Sequence, residues 1–151
     1  MTQIPDTIDH QTLQTLAEFR YALRQFLHFS EEACARACLH PQQQQMMLQI
    51  AGAPIDVETT VTYIAERLGL RHHTVVELSK RCEETGLVRR SHNITDRRCV
   101  VLELTAAGHR ALQSLSEDHA RELYELKPRL IAALTRIQAG ATTSASGETI
   151  Q

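Results

Sequence analysis

Apolar residues recur at three- and four-residue spacing from about Asp9 to Leu39. Leu13, Leu16, Phe19, Leu23, Phe26 and Leu27 repeat in this way, and no Pro or Gly interrupts them. This spacing predicts one long helix with Asp9 as its cap. Roughly 30 helical residues span about 45 Å, long for a small globule, so a second copy of the chain is the expected packing partner. His40-Pro41 breaks the helix, because a residue before proline is steered away from helical backbone, and Pro41 suits the first turn of the next one. "PQQQQMMLQIAG" then predicts a short helix that buries Met46, Met47, Leu48 and Ile50 and closes at Gly52.

Beyond it, "APIDVETT" reads as extended chain, with Thr59 or Thr60 placed to cap "VTYIAERLG", a third helix ended by Gly69. Leu70 and Arg71 make a tight turn into a fourth helix from about His72 to Thr85, ended by Gly86. Helix, short Gly-containing turn, helix is the helix-turn-helix pattern. "LVRRSH" and "RCVVLELT", separated by "NITD", predict an antiparallel hairpin. Thr105 is placed to cap a long helix reaching Lys127-Pro128, and "PRLIAALTRIQ" predicts a last, separate helix. The expected fold is mostly α with a small β-hairpin. Its parts are a flexible 1–8, helical segments 9–39 and 105–138, a helix-turn-helix and hairpin core 40–104 and a disordered Gly/Ser/Thr tail 139–151.

Composition narrows the class. The 151 residues are 42% apolar and 23% charged, with no Trp, which suits a Leu- and Ala-rich helical protein. No apolar run approaches the roughly 20 residues of a membrane span. The N-terminus lacks a basic region followed by an apolar stretch, so a cytoplasmic location is expected. The cysteines at 34, 38, 82 and 99 show no CxxC spacing, so neither a disulfide framework nor a zinc site is indicated. There is no Gly-rich phosphate loop and no Gly-x-Ser-x-Gly, so no enzyme, cofactor or metal is expected.

Charge alters the picture more. The net charge is −2, yet residues 1–60 hold three Arg against seven acids, while residues 71–98 hold seven Lys and Arg against four. A basic segment in an acidic chain favours one polyanion-binding face. On the fourth helix Val75, Leu78 and Cys82 share a stripe expected to face the core. The opposite side carries His72, His73, Val76, Glu77, Lys80 and Arg81. The first turn of such a helix enters the major groove, where His72 and His73 can bond guanine N7 or O6 or a phosphate. Thr74 or Val76 can meet a thymine methyl there. Glu77, repelled by DNA, is expected to pair with Arg81 four residues on. Arg89, Arg90, Arg97 and Arg98 gather toward the hairpin tip, where a wing reaches the negative potential of the minor groove. Asp96 beside Arg97 is placed to orient that guanidinium or brace the turn.

The motifs "IAERLGL", "EETGLVRR" and "TDRRCVVLELTAAG", with helical arms on either side, make residues 10–138 resemble the MarR (multiple antibiotic resistance regulator) family of winged-helix transcription factors. The resemblance implies a homodimer on double-stranded DNA, with 72–85 as recognition helix, 87–104 as wing and Arg97 as the minor-groove arginine. It implies dimerisation through 9–39 and 105–138, so a charge at Leu112 or Leu115 is expected to disturb assembly. It also implies a small aromatic effector, for which Tyr21, Phe29, Met46 and Met47 are the candidate pocket. Cys38 stands where glycine is commoner, a change expected to extend the first helix. Cys34 and Cys38, one turn apart, raise the alternative of a thiol-based redox repressor, which needs a lowered thiol pKa and solvent access. A winged-helix protein-interaction module is the alternative outside DNA binding.

Overall fold

The computed structural model describes residues 9–143, with side chains as far as 137. The expected flexibility of 1–8 and disorder of the terminal residues from 144 lie outside the described residues. The element order is α1 (His10–Arg36), α2 (Pro41–Ala51), α3 (Val61–Leu68), α4 (His72–Glu84), β1 (Val88–His92), β2 (Val100–Leu104) and α5 (Ala106–Thr143). The chain divides into two compact units: Ser30–His119, and the residues up to Phe29 together with those from Ala120 onward.

The Ser30–His119 unit is a winged helix around one apolar core. Met46, Met47, Ile64, Val75, Cys82 and Leu102 are each fully buried there, joined by Val61, Leu78 and Val88. Local chemistry sets the helix ends. Pro41 opens α2 while His40 Nδ1 accepts from Gln42 N at 3.2 Å and the Gln43 side chain accepts from His40 N. Thr60 Oγ1 accepts from Tyr63 N at 3.1 Å to cap α3. Gly69, at φ 62°, takes the left-handed turn that leads into α4, a conformation glycine adopts without strain. β1 and β2 pair antiparallel from Val88↔Leu104 to His92↔Val100. The stretch before α3, expected simply as extended chain, adds to this hairpin: Leu102 N donates to Thr59 O at 2.9 Å and Thr59 Oγ1 donates to Leu102 O at 2.5 Å.

Thr105 fastens α5 to the start of the wing. Its hydroxyl donates to Gly86 O at 2.6 Å and accepts from Gly108 N at 3.0 Å, and its amide donates to Leu87 O at 3.1 Å. Gly108 sits so close to Leu87 that a Cβ there would lie 2.1 Å from the Leu87 carbonyl oxygen.

Five expectations need correction. The first helix stops at Arg36 and is not extended by Cys38, which takes φ 56°. Leu39 N donates back to Cys34 O at 2.9 Å, and Leu39 packs on the Cys34 cluster, so this apolar return closes the helix without glycine. Pro128 does not divide α5, which runs continuously and keeps residues 139–143 helical. The carbonyl that Pro128 leaves unpaired belongs to Tyr124, an exposed residue that water can serve. An existing helix also propagates into weak sequence more readily than one nucleates. Leu48, expected to be buried, is 41% exposed because Met46, Met47 and Ile50 take the inward positions. Leu112 lies in the winged-helix core and Leu115 packs with Ala33 and Cys34, so a charge at either would damage the fold of the protomer itself.

In the other unit, Thr15, Ala22, Leu126 and Ala133 are buried. Arg129 joins α1 to α5, donating to Gln25 Oε1 at 3.0 Å with its guanidinium 5.6 Å from the Tyr21 ring centroid. Leu13, Leu16, Leu23, Leu27, Leu134 and Ile137 of these helices remain exposed. No helix among the described residues is long and apolar enough to cross a membrane.

Candidate nucleic-acid interface

The stripe that anchors α4 is the one its periodicity predicts. Val75 and Cys82 have no exposed surface and Leu78 is buried. Ser79, unforeseen, joins them by turning its hydroxyl back to Val76 O at 2.8 Å, which satisfies a buried polar group locally. His72, His73, Glu77, Lys80 and Arg81 are exposed, whereas Thr74 and Val76 are half-buried. Val76 packs against the core, so it offers a partner less surface than the histidines. The N-cap residue Arg71 supplies no side-chain acceptor to the first turn, leaving amide groups of the kind that bind phosphate oxygens. Glu77 pairs with Lys80 at 2.9 Å and not with Arg81 as expected. The hydrogen bond and charge of Lys80 hold the Glu77 carboxyl below the usual carboxylate range, with smaller contributions from the charges of Arg81 and Arg90.

The four wing arginines differ. Arg89 bonds Glu103, its partner across the hairpin, and this contact raises its already high pKa. Arg90 is half-buried; its backbone amide donates to Glu83 Oε2 at 2.9 Å, and its buried Nε has no partner among the described residues. Arg97 and Arg98 are exposed at the tip. Asp96 braces the turn by accepting from Arg98 N at 3.0 Å, with the Arg98 guanidinium 3.8 Å away. Its ionic neighbour is therefore Arg98 and not the expected Arg97. The Arg97 carbonyl is instead held 2.8 Å from His92 Nδ1.

Asn93, not among the residues expected to matter, organises this tip. Its Oδ1 accepts from Thr95 N, Thr95 Oγ1 and Asp96 N at 2.8, 2.6 and 3.2 Å. Its Nδ2 donates to both carboxylate oxygens of Glu58, at 2.7 and 2.8 Å. An asparagine at the head of a hairpin loop is a turn-forming signal; Glu58, 35 residues earlier, carries none.

Other candidate residues are not brought together as a site. Met46 and Met47 are fully buried in the core, a correction to their place in an effector pocket, because neither has surface to offer. Tyr21 is 55% exposed beneath Arg129 and Phe29 is half-buried. Cys34 is buried, and burial first, then Glu31, pushes its thiol pKa up, the opposite of redox activation. Cys38 is exposed. Among the described residues, no three His, Cys, Asp or Glu side chains are grouped to hold a metal ion.

A helix-turn-helix followed by an arginine-tipped hairpin defines a winged-helix protein. Residues 39–98 match the model of the MarR family. No curated protein sequence matches the chain. The fold is shared with solved structures at low identity. A MarR family protein from Bacillus stearothermophilus is 19% identical, with 91% of this chain and 98% of that one covered and a TM-score of 0.67. The transcriptional repressor CouR bound to a 23-mer DNA duplex is 25% identical, with 81% and 88% covered and a TM-score of 0.63. CouR from Rhodococcus jostii bound to p-coumaroyl-CoA is 17% identical, with 84% and 88% covered and a TM-score of 0.61.

Proposed function

We propose that this chain is a transcriptional repressor that binds double-stranded DNA as a homodimer and responds to a small aromatic effector. One observation carries the reading: a single compact unit holds both an α4 whose first turn exposes His72 and His73 and a wing whose tip exposes Arg97 and Arg98. The histidines suit base edges or phosphates in the major groove, and Arg97 suits the minor groove. Lys80, Arg81 and Arg98 serve phosphates. Arg89, held by Glu103, contributes least.

The exposed leucines of α1 and α5 supply apolar surface for a second copy. Two such units would place α4 in successive major grooves of a pseudo-palindrome, about 34–36 Å apart. The solved CouR complexes support both halves of the reading, one holding a DNA duplex and the other an aromatic acyl thioester. Tyr21 and Phe29 remain the candidate aromatic contacts. We place this activity in the cytoplasm and assign it no enzymatic step. The thiol-switch alternative loses support at Cys34, which is neither exposed nor activated.

Fluorescence anisotropy tests the proposal, using duplex from upstream of the protein's own gene, a scrambled duplex and a salt titration. Tighter binding to the native duplex, falling steeply with salt, is expected. Aromatic acids and their CoA thioesters should then shift that affinity. An absence of binding to either duplex at low salt would transfer the reading to a protein-interaction module.

A further inference from the structure

The wing tip carries an apolar side chain that its charged contacts do not explain. Ile94 is 100% exposed. The turn beneath it is stiff, since Asn93 Oδ1 binds the amides of Thr95 and Asp96 while Asn93 Nδ2 is anchored on Glu58. Ile94 is thus presented outward by a built turn. With His92, Asn93 and Arg97 it lines a concavity of about 480 Å³. A guanidinium beside a bare aliphatic group matches the minor groove, where negative potential lies over deoxyribose carbons and base edges. Groove-binding proteins insert apolar side chains of this kind against base-pair steps.

We propose that Ile94 is a minor-groove wedge and the shape-reading residue of the wing. As the wing enters the groove, Ile94 packs on deoxyribose carbons and the edge of one base-pair step while Arg97 occupies the negative potential beside it. The guanine N2 amino group projects from the groove floor and blocks that approach, so the wing selects A·T over G·C without a hydrogen bond from Ile94. Pyrimidine–purine steps, which unstack readily, accept the wedge best. This inference rests on the DNA-binding reading and names how one end of that interface discriminates.

The probe is the tightest duplex recovered from a random pool by the full-length wild-type protein. Flanking A·T pairs are changed singly to G·C or to inosine·cytosine, the latter lacking the N2 amino group. Wild type should bind about tenfold more weakly when G·C replaces A·T at one or two flanking positions, and inosine·cytosine should restore binding. Ile94→Ser should bind the parent duplex about tenfold more weakly, lose that discrimination and keep the wild-type salt slope, because no charge is removed. Arg97→Ala, by contrast, should lower the slope by about one. Ile55→Ser removes an equally exposed isoleucine outside the wing and should match wild type. Wild-type affinity and discrimination in Ile94→Ser would overturn the wedge while leaving DNA binding intact, and an equal loss in Ile55→Ser would overturn it too. If wild type enriched no duplex at low salt, the DNA-binding reading itself would fall, and the wedge with it.

Discussion

The Asn93 side-chain amide donates to both carboxylate oxygens of Glu58, at 2.7 and 2.8 Å, and so ties the wing tip to the segment that leads into α3. The same residue fixes the turn carrying Ile94 and Arg97. Asn93→Ala should therefore loosen the tip without touching the core. We expect DNA affinity to fall about three- to tenfold, equivalent to roughly one charge-assisted hydrogen bond at an exposed site, with little change in Tm. Anisotropy and thermal melts on the same preparation measure both. A large fall in Tm would mean that the contact supports the fold and not the wing alone.

Arg97 and Arg89 should separate cleanly. Arg89 is held by Glu103 across the hairpin, whereas Arg97 is exposed at the tip. Arg97→Ala is expected to weaken DNA binding and reduce the slope of log affinity against log salt by about one. Arg89→Ala should stay within about twofold of wild type, because an exposed ion pair contributes little. Equal losses at both positions would show that DNA binding draws Arg89 away from Glu103.

Gly108→Ala should destabilise the protein although alanine is the better helix former. The added methyl carbon would lie 2.1 Å from the Leu87 carbonyl oxygen, so backbone must move. Such overpacking costs about 1–3 kcal/mol, which outweighs the helix gain of roughly 0.5–1 kcal/mol. A fall of a few degrees in Tm is expected for a chain of this size. An unchanged or higher Tm would mean that the junction of α5 and the wing yields easily.

Cys82 makes stability depend on alkaline pH. Burial pushes its thiol up to about 11 from an ordinary 9.0. Between those values the unfolded chain has released a proton that the folded chain keeps. Stability from this group is therefore present below pH 9 and falls as pH rises toward 11, by up to about 1.4 kcal/mol per unit. Urea unfolding at pH 8, 9, 10 and 11 should show Cys82→Ala starting less stable, with its deficit shrinking as pH rises. A deficit that stays constant across that range would assign the alkaline loss to other groups.

Dimerisation is best probed on the exposed leucines. Leu134, 51% exposed on α5, can be changed to Glu without burying charge inside the protomer. Sedimentation velocity should show a dimer for wild type and a shift toward monomer for Leu134→Glu, with far-UV circular dichroism unchanged. A wild-type chain that stays monomeric at tens of micromolar would remove the homodimer from the proposal.

The helix-turn-helix was legible because its signals are local: the Val75, Leu78 and Cys82 stripe, a threonine cap at 59 or 60, and Gly69 at the turn. The hairpin was legible for the same reason, with "NITD" between two β-prone runs. Contacts set by register or distance were not. Arg89 reads as one more cation until the pairing with Glu103 is known, and Glu58 gives no hint of Asn93. Helix ends misled where a local rule met tertiary packing. Cys38 lacks glycine's freedom, yet Leu39 returns to the Cys34 cluster and the helix stops. Pro128 should break a helix in isolation, but it falls on an exposed turn where the lost bond is tolerated. Met46 and Met47, expected on the buried face of the second helix and named also as pocket candidates, are fully buried in the core.

The amide at position 93 also has a chemical lifetime. Side-chain amides of asparagine hydrolyse slowly when the following backbone nitrogen attacks them, and a branched residue such as Ile94 hinders that attack. Once hydrolysed, the residue would turn a carboxylate toward Glu58 where a donor had been, and the two like charges would push the tip off its anchor. A stored sample would then lose its grip on DNA while its helices and core stayed intact. By hindering that attack, Ile94 protects the same anchor that presents it.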